Sequence, residues 1–103
     1  MQHKYRKLIE EIKSGDPRTR ILKETSHMLI IGVSTGLGSI LFVITQTFGR
    51  VNIQWKVEGG VLKKHQLSWD FDEFEDQDKM IEKIAYDIEQ YQKNVETSTG
   101  YIK

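Results

Sequence analysis

At 103 residues the chain is long enough to bury one core and too short for two. Hydrophobic residues at 38% and charged residues at 29% are globular proportions that exclude overall disorder, and the lack of cysteine excludes disulfides and thiolate zinc sites. The net charge of zero is unevenly spread. Residues 1–69 carry eleven Lys/Arg against five Asp/Glu, and residues 70–103 carry four against ten, so either an acidic C-terminal third lies over a basic sheet or the molecule presents a dipolar surface.

Residues 1–25 read as a helical lead. Tyr5, Leu8, Ile9 and Ile12 recur at helical spacing, and Ser14-Gly15 supplies a stop. Asp16 then suits a helix N-cap and Pro17 the first helical position. This predicts a short second helix through about Lys23 or Glu24, with Ile21 and Leu22 as its apolar residues.

From Met28 to Phe48 no residue is charged. Such a run is long enough for a membrane helix, which needs about 20 apolar residues, and Gly32 with Gly36 makes a GxxxG pair. Its middle, however, is the loop-like Ser34-Thr35-Gly36-Leu37-Gly38-Ser39, and its flanks are rich in β-branched residues. The charged lead in front of it has the wrong layout for a secretory leader.

Strand pairing organises the same residues better. A hairpin closed through Thr35–Gly38 puts Leu29, Ile31 and Val33 on one face with Ile40, Phe42 and Ile44. Gly49-Arg50, taken as a two-residue loop with glycine first, sets Phe48 opposite Val51, Ile44 opposite Trp55 and Phe42 opposite Val57. Glu58-Gly59-Gly60, taken as a three-residue loop, sets Val57 opposite Val61, Trp55 opposite Lys63, Ile53 opposite His65 and Val51 opposite Leu67. The expected class is α+β: N-terminal helices, a four-stranded antiparallel meander over 28–70, and an acidic amphipathic helix over 72–95 packed on the sheet, all in a single domain spanning 1–103. The last helix would be capped by Asp72 with Glu75 and apolar along Ile81, Ile84, Ala85, Ile88 and Tyr91. The opposite sheet face keeps Ile30, Leu41 and Val43 apolar, for the N-terminal helices or a second subunit to cover.

Little in the chain carries chemistry. Gly32, Gly36 and Gly38 have phosphate-loop spacing, but no acid follows about 20 residues on to hold a ribose, the next being Glu58. The expected register gathers His27, Gln46 and His65 into one polar row, a candidate polar site. The two histidines would stand roughly 14 Å apart, too far to share a metal. Asp70, Asp72, Glu73, Glu75, Asp76 and Asp78 are dense but lack the glycine and the final glutamate of a calcium loop. No catalytic residue, cofactor or metal is expected.

The resulting expectation is a small non-enzymatic protein–protein interaction module of adaptor or inhibitor type. Asp72, Glu73, Glu75, Asp76 and Asp78 would face a partner with a basic surface, or the chain would associate with itself through the sheet. A cytoplasmic location fits this reading. One alternative is a membrane-anchored subunit spanning the bilayer with residues 28–48. Another is a nucleic-acid-associated protein using Arg6, Lys7, Arg18, Arg20 and Lys23, which lack interleaved aromatics.

Overall fold

Alternating side chains from Arg20 to Asp72 resolve into five strands rather than four. The computed structural model describes residues 2–35, 38–59 and 64–102. Helix α1 (Arg6–Ser14) is followed by β1 (Arg20–Glu24), β2 (Met28–Thr35), β3 (Gly38–Thr47), β4 (Arg50–Glu58), β5 (His65–Asp72) and helix α2 (Gln77–Ile102). The strands form one antiparallel sheet in the order β1-β2-β3-β4-β5. The segment Met28–Phe48, the expected membrane span of one alternative, is the β2–β3 hairpin and the residue after it. No helix among the described residues is long and apolar enough to cross a membrane.

The first correction concerns Asp16-Pro17. The pair starts a turn that feeds a strand, and the expected second helix is β1. Asp16 Oδ1 accepts the Arg18 amide at 2.8 Å, and the Asp16 carbonyl accepts the Thr19 amide at 2.9 Å. Aspartate first and proline second is also the signature of a tight β-turn, so the same two residues serve either element. The few residues that follow cannot offset the cost of helix nucleation, whereas β1 gains ladder bonds to β2 at once. The pairing runs Arg20 with Gly32, Ile21 with Ile31 and Lys23 with Ile30, with an irregularity between Ile21 and Lys23.

The β2–β3 register is the expected one, with Thr35 opposite Gly38 and Leu29 opposite Ile44; Gly36 and Leu37 lie outside the described residues. The β3–β4 register is not the expected one. Thr47 pairs with Arg50, so the loop is Phe48-Gly49, and Gly49 takes its left-handed φ of +73° in the second loop position rather than the first. Phe42 therefore faces Trp55, and Ile44 faces Ile53.

The next pairing slips further. Val57 faces His65, Trp55 faces Leu67, Ile53 faces Trp69 and Val51 faces Phe71. The three-residue loop is replaced by a longer connection; Gly60, Val61, Leu62 and Lys63 of the expected hairpin lie outside the described residues. The expected register would have left Trp69 opposite the turn glycine and Phe71 beyond the strand. The observed one buries Trp69 and half-buries Phe71. Both slips are by even numbers of residues, so every side chain stays on its expected face.

Helix α2 begins later than expected because β5 is still paired at Asp72, opposite Arg50. Asp72 Oδ1 accepts the Phe74 amide at 2.9 Å, making a turn. The cap is Asp76, whose Oδ1 accepts the Asp78 amide at 2.9 Å. The helix continues past residue 95 to Ile102.

Both helices lie on the same side of the sheet. Tyr5, Leu8 and Ile9 from the α1 side and Met80 and Ile84 from α2 are buried together with Leu29, Ile31, Ile44, Val51 and Ile53. Helix α1 lies against α2 and β2, and α2 against β5. The opposite face has no element over it among the described residues. At its centre Ile30 pairs with Val43, and Gly32 pairs with Leu41. A Cβ on Gly32 would come 2.6 Å from Leu41 Cδ2 and 2.5 Å from the Ile40 carbonyl oxygen, so Leu41 lies flat across a position only glycine fills. Gly32→Ala should therefore destabilise the protein by about 1–3 kcal/mol, measured as a fall in the urea midpoint; an unchanged midpoint would show that the close approach is absent.

Candidate functional site

The expected acidic surface comes from the corner between β5 and α2, and the fold uses most of it internally. Lys4 donates to Glu73. Lys7 Nζ stands 3.6 Å from Asp78 Oδ2 across the two helix starts. Asp72 and Asp76 accept backbone amides, as described above. Glu75 is half-buried and makes no ion pair among the described residues. The basic N-terminus and the acidic corner thus meet inside one molecule, which accounts for part of the charge asymmetry.

Gln46 is the hub of that corner. Its Oε1 accepts the Tyr5 hydroxyl, and its Nε2 donates to Glu73 Oε2 at 3.0 Å and to the Thr47 carbonyl at 2.9 Å. Burial pushes the Tyr5 phenol above its ordinary pKa. The hydrogen bond to Glu73 raises that of Lys4, whose ammonium also lies 5.4 Å from the Phe74 ring centre. Gln77 completes the join. Its Oε1 accepts the Leu8 amide at 3.1 Å, a first-turn donor that α1 cannot satisfy itself, and its Nε2 donates to the Lys4 carbonyl at 2.7 Å.

The expected polar row does not form. His27 stays beside Gln46, whose amide donates to the His27 carbonyl at 2.7 Å. His65 pairs with Val57 at the other end of the sheet, because the β3–β4 slip of two and the β4–β5 slip of four together leave it six residues along from Phe71, which lies in the Gln46 row. That is about 20 Å along a strand. There His65 Nδ1 is 2.6 Å from the Tyr91 hydroxyl, and the Tyr91 ring stands edge-on to both His65 and Trp55. Trp55 faces Leu67 rather than Lys63. No group of three or more potential metal-ligating His, Asp or Glu residues is assembled among the described residues.

Two apolar features of the surface remain. One is an apolar cleft of about 210 Å³ between the helices, lined by Leu8, Ile12, Phe42, Ile81, Ile84 and Ile88. It is smaller than the roughly 300–1,000 Å³ of ordinary small-molecule sites. The other is the uncovered sheet face. Met28, Ile30, Leu41 and Val43 lie half-buried at its centre, with Arg20 and Lys23 along the β1 edge, Lys56 on β4, and Asp70 near the β5 edge. Arg20, Lys23 and Lys56 have no ion-pair partner among the described residues, whereas Arg6, Lys7 and Arg18 are paired with Glu10, Asp78 and Asp16.

The sequence pattern marked Ile30, Leu41 and Val43 as an apolar patch. The basic β1 edge is not legible in it, because Arg20 and Lys23 fit a short helix after Asp16-Pro17 as well as a strand. No protein-family model matches the chain, and neither curated proteins nor solved structures show a detectable similarity to it.

One carboxylate on the helix-covered side is perturbed. Asp87 is held below the usual carboxylate range, first by the Trp69 indole N–H at 2.8 Å and then by Lys83. A depressed pKa makes this contribution to stability present above the ordinary carboxylate range and lost as pH falls through the folded-state value. Trp69→Phe keeps the ring and removes the donor. Carboxyl ¹³C NMR titration should show the Asp87 pKa rising toward its ordinary value in that variant; an unmoved titration would show that the indole bond does not hold it.

Proposed function

We propose that this chain is a small non-enzymatic protein–protein interaction module that docks through the uncovered face of its sheet. The observation that carries this reading is that both helices pack on one face, leaving Met28, Ile30, Leu41 and Val43 at the centre of the other with no element above them. Apolar side chains at a centre ringed by charged and polar ones match the anatomy of a protein interface. The acidic corner is the less favoured docking surface, since four of its five carboxylates already hold Lys4, Lys7 or backbone amides. Nucleic-acid binding is less favoured too. The sheet aromatics Phe42, Trp55, Trp69 and Phe71 all lie on the helix-covered face, where bases cannot stack on them.

Position-resolved photo-crosslinking in the native cell tests this. A photoreactive residue at Val43 should give protein adducts, whereas one at Tyr86, which is exposed on α2, should give none. Adducts confined to position 75 would move the docking surface to the acidic corner, and no adduct at position 43 would overturn the reading.

A further inference from the structure

The two edges of the sheet are built differently. Strand β1 has five residues, its register shifts between Ile21 and Lys23, and it carries Arg20 and Lys23. A short strand, an irregularity and lysine are the ordinary devices that keep an edge from recruiting another strand. Strand β5 has none of them. It runs eight residues, pairs with β4 without a shift, and contains no proline, glycine, lysine or arginine. Among the described residues no strand pairs with its outer side.

The backbone groups on that outer side can be named. Alternate residues of an antiparallel strand turn their N–H and C=O to opposite sides. The Glu73 amide donates to the Gly49 carbonyl at 3.1 Å, one step beyond the Arg50–Asp72 pair. Counting back by two, Phe71, Trp69, Leu67 and His65 turn their backbone groups toward β4. Gln66, Ser68 and Asp70 turn theirs outward, as does the Asp72 amide, while the Asp72 carbonyl accepts the Glu75 amide at 3.0 Å. No hydrogen bond among the described residues uses the outward groups of Gln66, Ser68 or Asp70.

We infer that the β5 edge pairs with the β5 edge of a second copy, antiparallel about a two-fold axis normal to the sheet at Ser68, to make one continuous sheet of ten strands. Donors and acceptors alternating along an extended edge are matched by another extended strand. Outward groups must also meet outward groups, which restricts the register. With Ser68 on the axis, Ser68 pairs with its counterpart, Gln66 with Asp70, and Lys64, the residue before β5, with Asp72. This register uses the whole strand and forms about eight backbone hydrogen bonds, in the range of an ordinary interface.

The side chains agree on both faces. On the open face one row across the join reads Arg50, Asp72, then Lys64 and Glu58 of the second copy, in alternating charge. The next reads Asn52, Asp70, then Gln66 and Lys56 of the second copy, and the central row is Gln54, Ser68, Ser68, Gln54. No like charges stand side by side. Moving the axis to Asp70 would set that carboxylate against itself, which is destabilising. Moving it to Leu67 or Trp69 would run one end of each strand past its partner.

On the helix-covered face Trp69 meets Leu67 and Phe71 meets His65, so the half-buried Leu67 and Phe71 gain cover. Helix α2 leaves room for this. Tyr91 packs on both Trp55 of β4 and His65 of β5, which places the helix inboard of the edge. Two copies of it would stand about 10 Å apart, an ordinary packing distance. The charged groups nearest the join on this side are Lys83 and Asp87, and they are already paired with each other. The inference does not depend on the docking reading given above. A two-fold normal to the sheet leaves both uncovered faces open, on the same side of the dimer.

The chain has no cysteine, so single introduced cysteines report the register. Residues 68 of the two copies would have Cα atoms about 5.5 Å apart, within disulfide range, whereas residues 70 would be more than about 13 Å apart. Under mild oxidation Ser68→Cys should form a disulfide-linked dimer and Asp70→Cys should stay monomeric. Sedimentation equilibrium over about 1 μM to 1 mM should find the unmodified chain in monomer–dimer equilibrium. Ser68→Pro removes an N–H that β4 does not use, so circular dichroism should find it folded while its dimerisation weakens tenfold or more. If that variant does not fold, the cysteine pair still decides. An unmodified chain that stays monomeric throughout overturns the inference, as does a dimer that a folded Ser68→Pro leaves intact. Crosslinking at residue 70 equal to that at residue 68 also overturns it.

Discussion

A five-stranded sheet has two faces to cover, and this chain has two helices. Both go to the same side. The constraint that sends them there is the join at Gln46, where one side chain bonds to Tyr5 ahead of α1 and to Glu73 ahead of α2. Once Tyr5 is seated, Leu8 and Ile9 one turn later must lie over Leu29, Ile31 and Ile44. Gln77 then ties the first turn of α2 back to the first turn of α1. The two helix starts are held together by side-chain hydrogen bonds in a half-buried corner, where such bonds are worth more than at an exposed surface. The charge separation along the chain serves the same join, through Lys4 with Glu73 and Lys7 with Asp78.

The uncovered face is the consequence. A sheet with one face on the core and one toward solvent ordinarily alternates apolar and polar side chains cleanly. Here the alternation is clean on β5, where Gln66, Ser68 and Asp70 point away from the helices. It fails at the centre, where the solvent-side residues of β2 and β3 are Met28, Ile30, Leu41 and Val43. Those positions do nothing for the helix-covered core, and no hydrogen bond or cap requires them to be apolar. Their composition is the observation on which the proposed docking face rests.

Much of the fold was legible because strand side chains repeat every two residues. The β3–β4 slip of two and the β4–β5 slip of four leave Trp55, Ile53 and Val51 on the expected face with new partners. Pattern alone cannot distinguish registers that differ by an even number. The turn residues that should have done so failed: Gly49 supports a left-handed conformation at either loop position, and Gly59 opens a longer connection than its neighbour Gly60 implied. Asp16-Pro17 misled for a related reason, since a cap and a turn use the same residues. The candidate site was less legible. His27, Gln46 and His65 were a row only in the wrong register. The partners of Glu73 and Asp78 lie some 70 residues away in the chain, where no local pattern points to them. The stripe of the last helix points to the face of Trp55, Ile44 and Phe42, but nothing in the sequence chooses a face for α1, so the open face could be named from the sequence but its emptiness could not.

The central claim is that α1 and α2 share one face. Methyl nuclear Overhauser contacts test it most directly, on a protein with labelled Leu, Ile and Val side chains. Leu8 and Ile9 should show contacts to Leu29, Ile31 and Ile44, with which they share one buried cluster. Contacts from Leu8 or Ile9 to Ile30, Leu41 or Val43 would put α1 on the opposite face and contradict the account.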